Sequence, residues 1–199
     1  MSKDLYTFAE EGGAPGAPLL FLFHGTGGNE TKLLGLGRNL MPAARLVSPR
    51  GDVSEGGAAR FFRRTGEGVY DMADLARATG RMRNFVSAHA EPRPALVAGL
   101  GYSNGANILA SVLFEAPELF DAAVLMHPLI PFTPRPQPGL RGKRILITAG
   151  RRDPICPPAA SQALLDYFLA QGAAAEIAWH PGGHEVAQTE LEAVATFLR

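Results

Sequence analysis

The clearest indication of the fold class is the stretch Ala95–Ala116, ALVAGLGYSNGANILASVLFEA. It begins with a run that suits a buried strand, passes through Gly101-Tyr-Ser103-Asn-Gly105, and continues as an apolar segment that ends before Pro117. A G-x-S-x-G motif between a strand and a helix is typical of a sharp turn that lifts its serine above a parallel sheet. Because so short a motif also arises by accident, the alternative is a tight turn with an incidental serine. The strand, turn and helix context favours Ser103 as a nucleophile.

Short apolar runs alternate with longer amphipathic runs on both sides of this stretch. The short runs predict strands, at Leu19–Phe23, Leu46–Ser48, Ala95–Leu100, Ala122–Met126, Arg144–Ala149 and Glu176–Trp179. The longer runs predict helices, at Asp71–His89, Ala106–Ala116, Ser161–Gln171 and Glu185–Leu198. This order indicates an α/β fold with a mostly parallel sheet and helices on both faces, to which Tyr6–Ala9 is a candidate antiparallel edge strand.

Composition narrows the classes of protein. The chain has 199 residues, which suits one domain over 1–199, and 19 basic residues balance 19 acidic ones. With no basic stripe and no apolar run of membrane-spanning length, we expect neither a nucleic-acid nor a membrane partner. The lone cysteine, Cys156, and an N-terminus without a secretory pattern predict a cytoplasmic protein. We expect it to be a monomer or homodimer and to need no metal or cofactor.

A serine nucleophile needs a histidine base and a carboxylate that orients the base. In this fold the chain order is serine, acid, histidine. Among the later aspartates, Asp121 precedes its strand and Asp166 lies in a predicted helix, whereas Asp153 follows a strand at the carboxyl edge of the sheet. Asp153 is therefore the predicted acid.

The base has three candidates after the serine. His184 follows Gly182-Gly183 and precedes the last helix, so order and position select it. His180, at the end of a strand, is the main rival, and His127 ends another strand and also has a position that can face the pocket. A histidine at a strand end is often a satisfied polar residue with no catalytic role.

The glycine-rich segment His24-Gly-Thr26-Gly-Gly follows an early central strand. Such a loop supplies one backbone N–H to an oxyanion hole, and the residue after the nucleophile supplies the other. The predicted donors are therefore the N–H groups of Thr26 and Asn104. A phosphate-binding loop is the alternative, but the G-x-x-x-x-G-K-[ST] pattern is absent from the sequence. We expect His24 itself to have a structural hydrogen-bonding role.

The segment Pro49–Gly68 has no periodicity and follows a strand, so we expect it to lie over the active-site edge. It contains Phe61-Phe62-Arg63-Arg64. One interpretation is that Phe61 or Phe62 forms a wall of a small acyl pocket, while Arg63 or Arg64 faces a substrate carboxylate. The alternative is that the phenylalanines fill the core and the arginines are solvated or paired with nearby acids.

Several segments together resemble the phospholipase/carboxylesterase branch of the α/β-hydrolases, which includes acyl-protein thioesterases and small bacterial carboxylesterases. They are FLFHGTGGNE, GYSNG, the Asp153-Pro154 pair after a strand, and Gly182-Gly-His184 before the final helix. The segment PRGDVSEGGAARFFRR is similar to small bacterial hydrolases associated with quinone or metal stress. The resemblance implies a core without a large lid, a Ser103–Asp153–His184 triad, and oxyanion donors at Thr26 and Asn104.

Two departures qualify the resemblance. Acyl-protein thioesterases usually carry glutamine after the nucleophile, where this chain has Asn104, so protein depalmitoylation is less expected. Dienelactone hydrolases share the fold and carry cysteine at the nucleophile position, so Ser103 argues against their specific chemistry. The predicted function is a serine hydrolase acting on a small ester or thioester. A non-catalytic small-molecule receptor, and a cofactor-free lyase or perhydrolase, are the alternatives on the same fold.

Overall fold

The computed structural model describes residues 3–199, so the first two residues of the predicted domain lie outside the described part. Its centre is a seven-stranded sheet. We number the strands in chain order: β1 Phe8–Glu11, β2 Leu19–Phe23, β3 Arg45–Pro49, β4 Val53–Glu55, β5 Ala58–Arg60, β6 Arg64–Gly66, β7 Val69–Tyr70, β8 Val97–Tyr102, β9 Ala122–Met126, β10 Arg144–Gly150 and β11 Ala174–His180.

The strand order in the large sheet is β1-β3-β2-β8-β9-β10-β11, and every pair is parallel except β1 with β3. The predicted mostly parallel sheet with an antiparallel edge strand is therefore confirmed. The edge strand begins two residues later than the Tyr6 proposed from sequence. Because the parallel strands point the same way, the loops that follow β2, β8, β9 and β10 meet at one edge.

Within residues 3–199, five α-helices cover the two faces: α1 Leu34–Leu40, α2 Met72–His89, α3 Asn104–Glu115, α4 Pro158–Ala170 and α5 Gln188–Phe197. The side chains of strand β2 show why helices must cover both faces of the sheet. Phe21 and Phe23 join the cluster beneath α2, α3 and α4, and the intervening Leu20 and Leu22 join the cluster beneath α1 and α5. All five β2 residues are buried, as expected for a strand between two helical layers.

The segment between β3 and α2 differs from the irregular loop expected from sequence. It contains two small antiparallel hairpins, β4 with β5 and β6 with β7. Strands of two or three residues are too short to show a period of two, which is why the pattern gave no signal. Helix α1 also went unpredicted, because its sequence LGLGRNL carries two glycines that weaken helical propensity.

Within residues 3–199, no helix combines the length and the apolar character needed to cross a membrane.

Candidate active site

Ser103 lies at the turn between β8 and α3, in a backbone conformation with φ 52°, which only strained or glycine positions usually adopt. Gly101 and Gly105 make the turn possible. A Cβ on Gly105 would overlap the backbone carbonyl of Phe23, and a Cβ on Gly101 would overlap that of Gly105. The Ser103 N–H donates to the Met126 carbonyl over 2.8 Å, which ties the turn to the neighbouring strand β9. The sequence thus forces a sharp turn that presents the hydroxyl at the sheet edge.

The structure brings Ser103, His184 and Asp153 together from three separate loops. His184 Nε2 is 2.9 Å from Ser103 Oγ, and His184 Nδ1 is 2.8 Å from Asp153 Oδ2. The hydroxyl of Tyr102 donates to the backbone carbonyl of His184 over 2.7 Å, which anchors the histidine loop beside the turn. Because a carboxylate can only accept at Nδ1, this geometry leaves the lone pair of Nε2 facing the serine.

Asp153 is almost completely buried, and its two oxygens have different partners. Oδ1 accepts the N–H groups of Ile155 and Cys156 over 2.8 and 2.9 Å, while Oδ2 faces His184 and His127 over 2.8 and 2.9 Å. Burial alone would raise the pKa of the carboxyl. The hydrogen bonds from Cys156, His127, His184 and Ile155 outweigh burial and hold the pKa of Asp153 below its usual value.

Thr26 and Asn104, the two predicted oxyanion donors, are held by one segment that runs through the end of β5. Arg60 Nη1 donates to Thr26 Oγ1 over 2.7 Å, and the Phe61 N–H donates to Asn104 Oδ1 over 2.8 Å. Asn104 is the first residue of α3, so its own N–H has no acceptor within the helix. The end of the β4–β5 hairpin and the residue that follows it therefore order both sides of the serine, and this hairpin was not predicted from the sequence.

His24 is fully buried and makes local hydrogen bonds. Its Nε2 accepts the Gly51 N–H over 3.0 Å, so in the neutral ring Nδ1 carries the proton and donates to the Gly25 carbonyl over 2.7 Å. Burial lowers the pKa of this histidine, which favours that neutral form. His24 thus fastens the glycine-rich loop to the start of the hairpin segment, the structural role expected for it.

A cavity of about 210 Å³ opens on the serine. Its walls combine the hydroxyl of Ser103 and the ring of His184 with side chains from the hairpins, from α3 and from the loop after β10. The lining residues are Thr26, Arg60, Arg64, Glu67, Tyr70, Tyr102, Ser103, Asn104, Asn107, Leu129, Ile155, Cys156 and His184.

The prediction that Phe61 or Phe62 forms a wall of the acyl pocket is wrong. Phe61 and Phe62 are fully buried beneath the hairpins, where Phe61 packs on His24 and Phe62 on Tyr70, so neither lines the cavity. Arg63 points away, with a side chain that is 62% exposed and paired with Asp71 and Asp74 over 3.5 and 3.2 Å. Phe61, Phe62 and Arg63 lie between β5 and β6, outside both strands, so no strand period assigned the directions of their side chains from the sequence.

Arg64 does line the cavity, but two acids bind its guanidinium. Its Nη2 is 2.9 Å from Glu55 Oε1 and its Nη1 is 2.6 Å from Glu67 Oε2. Arg60, which sequence reasoning passed over, is 3% exposed and lies 3.2 Å from the same Glu55. The hairpins therefore bring to the cavity a buried arginine and a second arginine whose charge is compensated.

His127 and His180 do not reach the serine. Both are buried behind Asp153, with His127 Nε2 3.1 Å from Glu190 Oε2 and His180 Nε2 3.5 Å from the same oxygen. Sequence periodicity pointed to helix α5 but not to a buried acid on it. Glu190 lies on the inner face of that helix, where a polar residue is normally unexpected.

Two groups within residues 3–199 have the composition of a metal site: His127 with His180 and Glu190, and His127 with Asp153 and His184. In the first group His180 Nδ1 accepts the Gly182 N–H over 3.1 Å. A histidine that binds a metal through Nε2 normally donates a proton from Nδ1, so this hydrogen bond opposes a metal there. In the second group Asp153 Oδ2 already accepts from both imidazoles.

Cys156 lines the cavity but is not arranged as a nucleophile. The residue is 1% exposed, its Sγ donates to the His127 carbonyl over 3.2 Å, and burial raises the pKa of the thiol. A thiol that stays protonated is unreactive.

The sheet, its edge loops and the Ser103 turn define an α/β-hydrolase. The chain belongs to the dienelactone hydrolase family, whose family model matches residues 59–195. A "Putative hydrolase MhqD" of Bacillus subtilis (strain 168) is 42% identical over 177 residues, 87% of this chain and 88% of the relative. The chain is therefore a hydrolase of the dienelactone hydrolase and carboxylesterase type.

Solved structures agree with this assignment. The protein Atu2452 of unknown function from Agrobacterium tumefaciens str. C58 is 57% identical, with a TM-score of 0.93 over 100% of this chain and 98% of that one. The Bacillus cereus carboxylesterase is 36% identical, with a TM-score of 0.90 over 96% of this chain and 92% of that one. The resemblance to carboxylesterases expected from the motifs is thus confirmed.

Proposed function

We propose that this protein is a serine hydrolase that cleaves a small carboxylic ester or thioester through an acyl-enzyme. The observation that carries the proposal is the chain of hydrogen bonds from Ser103 Oγ through His184 to the buried Asp153, which opens into the 210 Å³ cavity. A non-catalytic receptor has no need of a nucleophile, a base and an orienting acid joined by hydrogen bonds.

The mechanism follows from these positions. His184 Nε2 takes the proton of Ser103 as Oγ attacks the substrate carbonyl, and Asp153 stabilises the imidazolium that forms. The N–H groups of Thr26 and Asn104 hold the oxyanion, and His184 returns the proton to the departing alcohol or thiol. Water then attacks the acyl-enzyme by the reverse route, which releases the acid and restores Ser103.

Two cavities flank the loops that carry the oxyanion donors. The 210 Å³ cavity is small and has a mixed polar lining, which favours a short acyl group over a fatty chain. A second cavity of about 190 Å³ shares Thr26 and Tyr102 with the first and is lined mainly by apolar side chains, including Leu33, Leu36 and Val186. This division supports a short acyl group on one side and an apolar leaving group on the other.

The carboxylate preference expected from sequence now depends on Arg60. Glu55 and Glu67 occupy the fork of Arg64, and Arg63 faces solvent. Arg60 lines the cavity, where Glu55 is its nearest acid at 3.2 Å and its Nη1 donates to Thr26. If a substrate carboxylate binds here, Arg60→Lys should lower kcat/KM for a hemisuccinate ester far more than for the matching butyrate ester, and Arg63→Lys should change neither.

The decisive experiment is a series of nitrophenyl esters from acetyl to palmitoyl, with acyl-CoA thioesters beside them. We expect kcat/KM to be highest for short chains. Ser103→Ala should keep the fold and lower activity by about 10⁴–10⁶-fold, as when a triad nucleophile is removed. A fluorophosphonate should label Ser103 in the wild type and fail to label that variant.

The outcomes separate the alternatives. No covalent labelling and no turnover of any ester would favour a small-molecule receptor. Labelling without ester hydrolysis, with other products formed from the same substrates, would favour a lyase or perhydrolase. Within this proposal the enzyme acts on its ester in the cytoplasm, where a reducing environment suits the single thiol of Cys156.

A further inference from the structure

A second histidine shares the carboxylate that orients His184. His127 is fully buried at the end of β9 and does not line the cavity. Its Nδ1 is 2.9 Å from Asp153 Oδ2, and its Nε2 is 3.1 Å from Glu190 Oε2. The imidazole therefore lies between two buried carboxylates, and the mechanism above makes no use of it.

The hydrogen-bond partners of His127 determine its protonation state. An ionised carboxylate can only accept hydrogen bonds, so two carboxylate partners require protons on both ring nitrogens of His127. Glu190 also accepts the Thr148 hydroxyl over 2.8 Å and, more distantly, faces His180 Nε2 at 3.5 Å. His180 carries its proton on Nε2, because its Nδ1 accepts the Gly182 N–H. That N–H lies 3.4 Å from His127 Nε2 and 3.5 Å from Glu190 Oε2, and with His127 protonated on Nε2 only Glu190 can accept it.

The backbone around His127 is strained and tied to the site on two sides. His127 and Ser103 are the two residues other than glycine within 3–199 whose φ is positive, at 50° and 52°. The preceding carbonyl, of Met126, accepts the Ser103 N–H over 2.8 Å, and the His127 carbonyl accepts from the Cys156 thiol in the loop that carries Asp153. Strain of this kind persists only where surrounding contacts enforce it, and it is concentrated at functional sites.

We propose that His127 is a positioning residue: an imidazolium, paired with Glu190, that keeps Asp153 ionised and directs its Oδ2 toward His184. Its effect on turnover rests on the serine mechanism proposed above. Its protonation state does not, since that is a property of the resting protein. His127 touches no substrate, so its removal should act on kcat and leave KM nearly unchanged.

The charges around His184 predict that His127→Gln and Glu190→Gln shift the acid limb of the kcat/KM profile in opposite directions. The rings of His127 and His184 are 5.1 Å apart, close enough for one charge to act on the other. The titratable and charged groups that face His127 are Asp153 and Cys156 after β10, His180 at the end of β11, His184 and Glu185 before α5, Glu190 on α5 and Tyr102 on β8. Of these, Asp153 and Glu190 make the direct ion pairs.

His127→Gln removes the cation between two carboxylates, so the site becomes more negative around His184. The acid limb of the kcat/KM profile should then move to higher pH by about one unit, and kcat should fall about tenfold. Glu190→Gln removes one anion and leaves the cation, so the same limb should move to lower pH. A purely structural role would change activity in both variants without moving the two limbs in opposite directions.

The direct test is ¹⁵N NMR of the histidine rings in the wild-type protein. Both ring nitrogens of His127 should stay protonated as pH rises past the point at which an ordinary histidine becomes neutral, because the carboxylates of Glu190 and Asp153 raise the pKa of this ring. In Glu190→Gln this ring should titrate at lower pH. Glu192→Gln is the matched control, because it is the same change on the same helix at an exposed position. It should alter neither the spectrum nor the pH profile.

A neutral His127 in the wild type at about pH 7, or shifts of the two acid limbs in the same direction, would overturn the proposal. The wild-type spectrum decides the question even if a variant fails to fold. Failure of the serine mechanism would be distinguishable, because Ser103→Ala would then retain turnover while the His127 spectrum stayed as expected.

Discussion

Asp153→Asn is the change whose outcome the geometry specifies in most detail. The amide oxygen of the new side chain can replace Oδ1 and accept the N–H groups of Ile155 and Cys156, so the loop keeps its shape. The amide nitrogen then takes the place of Oδ2 and donates toward His184 Nδ1. His184 must carry its proton on Nε2, which faces Ser103, so it can no longer accept the serine proton.

The loss should be on the order of 10³–10⁴-fold in kcat/KM, which corresponds to about 4–5.5 kcal/mol of transition-state stabilisation. The same substitution turns a donor toward His127 Nδ1, which lies 2.9 Å from Oδ2, so His127 should also become neutral. The assay is hydrolysis of a short nitrophenyl ester across the pH range, with melting temperature as the measure of folding.

Asp166→Asn is the control for this prediction. Asp166 is an exposed aspartate on α4 that pairs with Gln162, and the same change there should leave kcat/KM within about twofold of the wild type, as for most surface substitutions. A folded Asp153→Asn protein with more than about a tenth of wild-type kcat/KM would refute the role assigned to the carboxylate.

Further expectations concern the base, the thiol, the turn and pH. His184→Ala should remove nearly all activity, whereas His180→Ala should be milder; abolition by His180→Ala in a folded protein would contradict the choice of base. Iodoacetamide at neutral pH should leave most activity intact, because Cys156 is buried and burial raises the pKa of its thiol; rapid inactivation that Cys156→Ser prevents would contradict this. Gly105→Ala should destabilise the protein by several kcal/mol, about 3 or more, since its Cβ has no space; a melting temperature equal to the wild type would contradict the packing. Burial disfavours the charge on His127, but hydrogen bonds to Glu190 and Asp153 outweigh it and raise the pKa of His127. The stability this adds is complete below about pH 6.5 and is lost as pH rises through the raised pKa, so melting temperature should decline toward high pH and Glu190→Gln should flatten that decline.

Much of the fold could be predicted from local sequence patterns, such as apolar runs and helix-capping residues. Strand β2 is apolar on every residue, and helix α2 begins at a capping aspartate, Asp71, whose side chain accepts the Asp74 N–H. The turn at Ser103 was readable because glycine is obligatory at both flanking positions. Strands of two or three residues, such as β6 and β7, could not be predicted because they have too few positions to show the two-residue hydrophobic period of a strand.

The cavity lining was the least predictable part. The sequence places Phe61 to Arg64 near the site but not on a given side of it, and the fold puts Arg60 and Arg64 at the cavity while burying Phe61 and Phe62. Phe61, Phe62 and Arg63 connect β5 to β6, where no strand period sets the direction of a side chain. Which of these residues face the cavity therefore depends on how the two hairpins pack on the rest of the fold.

The order of the elements, the turn at Ser103 and the acid and base candidates follow from local pattern, because periodicity, glycine requirements and chain order are local or sequential properties. Which carboxylates and imidazoles hydrogen-bond to one another depends on tertiary packing. Asp153, His127 and Glu190 come from the loop after β10, the end of β9 and helix α5, and they meet because parallel strands end at one edge where α5 packs. Hydrogen bonding across 63 residues of chain, as between His127 and Glu190, is set by packing.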